Sequence, residues 1–253
     1  MVYDRFLGGW CAAVVSLALG WCWGVGSPAT AEPTVQVTTY GHSALLFESE
    51  EGRLLINPFR AVACAAGLAE PRLAVDLILA SSSLPDEGAP VARGLFLNSP
   101  GSYRLADDWQ VEGFAVPHDH VGGHRFGEGV VWTWRQAGLR MAHMGGAALP
   151  PTAAQRILLS GVDVLVVAVG GGSKVLDGVQ AAQVVGAIKP RLVIPVQYAT
   201  APPPEGCDLA TIDPFLEALP AAVPVERPGP TVVLSDALLG DGTAVHVLEL
   251  DSR

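Results

Sequence analysis

Two acidic side chains, Asp86 and Glu87, end a polar loop that follows a strand-like apolar run, Asp76–Ala80. Further along, His118, His120 and His124 fall within one loop, with Asp119 between the first two. Carboxylates and imidazoles bind divalent metals and exchange protons near neutral pH. One reading is a mononuclear metal site in which His118 recruits His120 or His124, completed by Asp86 or Glu87. The other is a polar loop whose histidines hydrogen-bond locally. No group that would orient the rings is visible in the sequence, so the second is taken as the starting expectation.

Other candidates are weaker. Gly170-Gly171-Gly172-Ser173-Lys174 lies between a buried apolar run and a helix start, a context that can cradle phosphate. It lacks the spacing of either nucleotide-binding glycine motif, so a cleft-bordering loop is the better expectation. Ser81, Ser82 and Ser83 include no Gly-x-Ser-x-Gly elbow and read as loop rather than nucleophile. His42 and Ser43 are neighbours on a strand, where successive side chains point to opposite faces. They cannot act as base and nucleophile, and His42 reads as a satisfied structural histidine. Trp132 and Trp134 alternate and share a face, either in the core or on the rim of a cleft.

The elements that must position these residues are β-rich at first. Val35–Tyr40, Ala44–Glu48 and Leu54–Ile56 read as a meander with a turn at Glu51-Gly52. Asp76–Ala80, Trp109–Val116, Gly129–Arg135 and Leu139–Met144 continue the strands. Thr152, with Gln155 three residues on, starts a short helix. Val162–Val169 is a β-branched run of the kind buried on both faces. Asp177 caps a helix through Ile188, ended by Pro190. Arg191–Val196 is a strand, Phe215–Leu219 a helical turn, and Thr231–Leu234 and Ala244–Leu250 late strands. This order predicts one domain with two sheets sandwiched between helices.

The composition narrows the partners. The 253 residues carry 25 acidic against 15 basic side chains, a net charge of -10, and only two lysines, Lys174 and Lys189. No basic run exists to neutralise a phosphate backbone, which argues against nucleic acid. Arg5, the apolar stretch Trp10 to Val25 and Ala29-Thr30-Ala31 together read as a secretory signal, with a mature chain starting near Glu32. The alternative is a retained membrane anchor. Export to the periplasm, a lumen or the extracellular space would leave Cys64 and Cys207 in an oxidising compartment, where pairing is expected. Standing singly, they do not read as a zinc site.

Several segments together resemble the lactonase-like branch of the metallo-β-lactamase superfamily. Thr39-Tyr40-Gly41-His42-Ser43-Ala44-Leu45-Leu46-Phe47 is similar to its Gly-His-Ser strand, and Leu55-Ile56-Asn57-Pro58-Phe59 to its Leu-Ile-Asp-Pro turn. Val116-Pro117-His118-Asp119 resembles its third histidine region, and Gly138-Leu139-Arg140-Met141-Ala142-His143-Met144-Gly145-Gly146 its Gly-Leu-Arg-Ile-x-His-Leu-Gly-Asp. Ile194-Pro195-Val196-Gln197-Tyr198 tracks its last third. The segments keep the family's order over residues 35 to 200.

The resemblance implies a mixed α+β fold, a four-layer αββα sandwich, and two-metal hydrolysis. It also implies a ligand set that this chain departs from. Where the family has Thr-His-x-His-x-Asp-His, this chain has Ser82, Leu84 and Glu87 at histidine positions, and only Asp86 matches. His118 is kept, Gly146 stands for the bridging carboxylate and Gln197 for the last histidine. His143 holds a position that does not ligate. Two expectations follow. The first is a non-catalytic binding or scaffold protein, its cleft bounded by Ser82, Asp86, Glu87, His118, Asp119 and Gln197, taking a small-molecule or protein ligand and no cofactor. The second is a hydrolase of lactones, esters or phosphodiesters with one rebuilt zinc, manganese or iron site at His118, Asp86 and Glu87.

Overall fold

A computed structural model describes residues 31–105, 109–200 and 202–250. The segment read as a signal lies outside the described residues, apart from Ala31. Among the described residues, fourteen strands form two sheets. The six-stranded sheet runs β13-β1-β2-β3-β4-β5, from Thr231–Leu234, Val35–Gly41, Ala44–Ser49, Gly52–Ile56, Ala74–Leu79 and Arg93–Leu97. The eight-stranded sheet runs β12-β14-β11-β10-β9-β8-β7-β6. Its strands are Val225–Gly229, Ala244–Leu248, Leu192–Val196, Val164–Ala168, Leu139–Met144, Glu128–Gln136, Gln110–Pro117 and Gly101–Arg104.

The alternation in β1 puts Val35 and Val37 inward and Gln36 outward, the mark of a strand with one buried face. β10 is buried at every residue because it is covered on both faces. Its inner face meets the other sheet through Val164 and Val166, in a core with Phe47, Leu79, Trp132 and Ile194. Both tryptophans belong to that core, and Trp132 donates its indole N–H to the Ala80 carbonyl at 3.0 Å. They are not a cleft rim.

On the outer face, Leu165 and Val167 pack with Ala181, Val184 and Phe215. These come from helices α2 (Gly178–Ile188) and α3 (Asp213–Ala218). Asp177 caps α2 and Thr152 caps α1 (Ala153–Leu158), each in a reciprocal capping box with the glutamine three residues on. All three helices lie in connections of the eight-stranded sheet. The connections of the six-stranded sheet carry only a 3-10 turn, Ala63–Ala65, so the helical cover is uneven.

Three strands were not anticipated, β5, β6 and β12. Each lies at a sheet edge, and β12 (Val-Glu-Arg-Pro-Gly) is almost wholly exposed. Edge strands tolerate proline, glycine and charge, so they carry little of the signal that marks a central strand. The first hairpin turn is also displaced by one residue. Gly52 already pairs with Ser49, leaving Glu50 and Glu51 as the loop.

The expected disulfide is present. Cys64 and Cys207 are bonded across 143 residues of sequence and pack with Ala168, Val175, Ala199 and Leu209.

Candidate functional site

The polar residues gather where the two sheets meet, each in the segment that follows a strand. Glu87 follows β4, His118 follows β7, Lys174 follows β10 and Gln197 follows β11. The sheets are tied together here by backbone. Gln197 N–H donates to the His42 carbonyl at 3.0 Å, and Val130 N–H to the Ser81 carbonyl at 2.7 Å. Asn57, fully buried, donates to Ser43 and Ser81 hydroxyls at 3.2 and 2.7 Å and accepts from the Ser81 amide. Three non-glycine residues here, His42, Asn57 and Gln197, hold φ near +50°. Such left-handed positions cost roughly 1–2 kcal/mol each and persist where surrounding contacts over-determine them.

Glu87 is the centre of the site and is fully buried. One carboxylate oxygen faces His118 Nε2 at 3.2 Å and Lys174 Nζ at 3.6 Å; the other accepts from Gln197 Nε2 at 3.0 Å. Lys174 Nζ also lies 3.1 Å from Asp86 Oδ2. Burial alone would raise the Glu87 pKa. The hydrogen bond and charge of His118, then the charge of Lys174, outweigh it and hold the carboxyl at about 2.

His118 Nδ1 lies 2.9 Å from the Gly146 carbonyl. The carbonyl and the Glu87 carboxylate are acceptors only, so both ring nitrogens donate and the ring is an imidazolium. Burial opposes that charge, but the Glu87 partnership raises the His118 pKa overall. Burial likewise works against the Lys174 ammonium, and Glu87 and then Asp86 raise its pKa in net. The cluster therefore comprises two anions and two cations, and its charges cancel internally.

This arrangement does not suit a metal ion. A doubly donating imidazolium has no lone pair to give, and the Lys174 ammonium is paired with both Asp86 and Glu87. Among the described residues, no three His, Cys, Asp or Glu side chains converge to hold a metal. Gly146 lacks room for a carboxylate, because a Cβ there would lie 2.6 Å from the Ser81 carbonyl oxygen.

Four of the candidates drawn from sequence therefore come together: Asp86, Glu87, His118 and Gln197. The others are corrected. His120 and His124 are exposed, and His120 faces the Gly172 carbonyl at 3.2 Å, so the three histidines do not form one site. Both Asp119 carboxylate oxygens are taken up by its own loop, accepting four backbone amides, of Val121, Gly123, Arg125 and Phe126. Burial would raise its pKa, yet these amides outweigh it and hold it at about 2. Ser82 accepts from the Leu84 amide at 3.1 Å and shapes the turn.

The glycine-rich loop offers its donors to the chain's own carboxylate. Ser173 donates through N–H and hydroxyl to Asp208 Oδ2 at 2.9 and 2.7 Å, the place a phosphate would need. His143 Nδ1 accepts from the Gly145 amide at 3.1 Å, and burial lowers the ring's pKa to about 4. His42 is not a satisfied histidine: its Nε2 is buried with no partner among the described residues. Lys174 was missed as a site residue. The available signal was its rarity, one of two lysines, at the mouth of a loop expected to border the cleft.

Two facing sheets with polar groups at one shared end define a metallo-β-lactamase fold. The chain belongs to the β-lactamase superfamily domain family, whose pattern matches residues 36–197. Solved structures agree. A protein from Thermotoga maritima described as a zinc-dependent hydrolase of the metallo-β-lactamase superfamily superposes with a TM-score of 0.68 at 22% identity, covering 86% of this chain and 100% of its own. One from Parabacteroides distasonis, described as a metal-dependent hydrolase, gives 0.60 at 15% identity, covering 87% and 94%. Igni18, a metallo hydrolase from Ignicoccus hospitalis, gives 0.57 at 20% identity, covering 80% and 99%. No curated protein matches.

Proposed function

We propose that this superfamily member, read as one of the lactonase-like branch, has given up hydrolysis and serves as an exported binding or scaffold protein. One observation carries the reading: Lys174 Nζ stands 3.1 Å from Asp86 and 3.6 Å from Glu87, where a hydrolase of this fold would use a carboxylate and an imidazole to hold a metal cation. A side-chain ammonium can balance those charges, but it cannot bind and activate a water as a metal does. The substitutions at Ser82, Leu84, Gly146 and Gln197 point the same way, since none supplies a good zinc ligand. Export is supported by the N-terminal sequence and agrees with a disulfide, a bond characteristic of oxidising compartments.

The test is the metal content and turnover of the full chain, purified without a histidine tag. Elemental mass spectrometry is expected to find far less than one zinc, iron or manganese per chain. Panels of lactones, esters and phosphodiesters are expected to show no chelator-sensitive hydrolysis. Near-stoichiometric metal together with chelator-sensitive turnover would overturn the reading in favour of a rebuilt site at His118, Asp86 and Glu87.

A further inference from the structure

The Lys174–Asp86 ion pair is closed by a second link, which runs through the disulfide. On the acid side, Arg60 N–H donates to the Pro85 carbonyl at 2.7 Å, one residue before Asp86, and Ala89 N–H donates to the Pro58 carbonyl at 2.8 Å. These bonds fasten the Asp86-Glu87 loop to the segment that carries Cys64. On the cation side, Ser173 donates its N–H and hydroxyl to Asp208, the residue after Cys207. Ala210 N–H donates to the Gly170 carbonyl at 2.7 Å. Lys174 follows Ser173 directly, and Val175, the next residue, is buried with Leu209 against the two cysteines. Thus Cys64–Cys207 joins the support of the acids to the support of the ammonium.

The packing around this link is slight. Ala168, Val175, Ala199 and Leu209 are its buried members, a group far smaller than either main core. Side chains of that size bury little apolar area, so they hold the loops weakly without the covalent tie. Asp208 is exposed, and water competes for its bonds with Ser173. Few buried contacts and exposed hydrogen bonds mark the segments that open locally, ahead of the rest of a fold. The Lys174 side chain is already 15% exposed, so a small movement carries its ammonium into water.

We propose that Cys64–Cys207 is a redox clamp on the charge cluster: the bond holds Lys174 over Asp86 and Glu87, and its reduction frees the Lys174 loop and uncovers the two acids. The sheets stay folded through the change, because their cores lie outside the bonded cluster. Both cysteines are half-buried rather than sealed in a core, so a reductant can reach them. A dithiol performs the step. One of its thiolates attacks a sulfur of the bond, and its second thiol then displaces the mixed disulfide. Two electrons and two protons pass to Cys64 and Cys207, which become thiols, and the reductant becomes a disulfide. The clamp acts on the cluster whether the domain binds or hydrolyses, so it does not rest on the reading above.

The chain's two lysines give the readout, since Lys189 is exposed and Lys174 is held in the cluster. The full chain is pulse-acetylated with an N-hydroxysuccinimide ester, with and without a dithiol, and each lysine is followed by peptide mass spectrometry. Reduction is expected to raise the Lys174 rate relative to Lys189 by about tenfold, roughly the worth of one charge-assisted hydrogen bond. Asp208→Ala with the disulfide intact should raise it similarly. Cys64→Ser/Cys207→Ser should do so without reductant and respond no further to it. Amide exchange of β10, followed in the same samples, should stay slow in all of them. An unchanged Lys174 rate in the reduced chain, in the cysteine variant or in Asp208→Ala would overturn the proposal. Fast exchange in β10 alongside fast acetylation would overturn it as well, because the bond would then hold the whole fold rather than the loop.

Discussion

Lys174 Nζ and Asp86 Oδ2 lie 3.1 Å apart across two sheets, with Lys174 side chain 15% and Asp86 side chain 4% exposed. The pair belongs to a closed charge cluster with Glu87 and His118. Removing one member of such a cluster leaves an uncompensated buried charge, which costs about 3–5 kcal/mol. Lys174→Met is expected to lower unfolding stability by that amount in guanidinium titrations. Adding Asp86→Asn should restore part of it, and strictly additive losses would show that the pair is not coupled.

Restoring a carboxylate at Gly146 is expected to damage the fold rather than rebuild a metal site. A Cβ there would sit 2.6 Å from the Ser81 carbonyl oxygen, a backbone atom held by its bond from Val130 N–H. Gly146→Ala should cost about 1–3 kcal/mol from overpacking alone. Gly146→Asp should cost more and bind no zinc by elemental analysis.

Stability should depend on pH from both sides. The His143 pKa is depressed to about 4, so its stabilisation is full above the unfolded value near 6.5 and is lost as pH falls toward 4. Glu87, held at about 2, gives stabilisation that is full above about 4.3 and lost as pH falls through 2. The His118 pKa is raised, so its contribution is full below about 6.5 and lost as pH rises through the folded value. His143→Asn keeps an acceptor for the Gly145 amide without titrating. Stability curves of this variant should be flatter between about pH 6.5 and 4 than those of the parent.

Reducing Cys64–Cys207 should destabilise the domain by about 3–5 kcal/mol, as expected for a bond closing a loop of 143 residues. A Cys64→Ala/Cys207→Ala double variant should show the same loss in guanidinium unfolding and no further loss on adding reductant. A reductant effect in the double variant would place the sensitivity elsewhere.

The central strands were legible because burial writes itself into composition. β10 is a β-branched run, and β1 alternates, since each must satisfy the core on one or both faces. The caps at Thr152 and Asp177 were legible because a hydroxyl or carboxylate followed by glutamine three residues on is a local device. The edge strands β5, β6 and β12 were not, because edges are under no such constraint. Within the site, the residue order brought Asp86, Glu87, His118 and Gln197 into view. Lys174 escaped because its meaning depends on a carboxylate 88 residues away.

The sequence by itself determined the central strands, the family and four of the residues that meet in the site, because these follow from local pattern and motif order. It also supplied the two cysteines, although only their approach in space makes them a bond. Tertiary structure decided what the polar residues do. It dispersed His120 and His124, committed Asp119 to four backbone amides, and made His118 a cation between two acceptors. It also left His42 Nε2 buried with no partner among the described residues. These outcomes depend on distances and partners between segments far apart in sequence, and charge and hydrogen bonding act only through such distances.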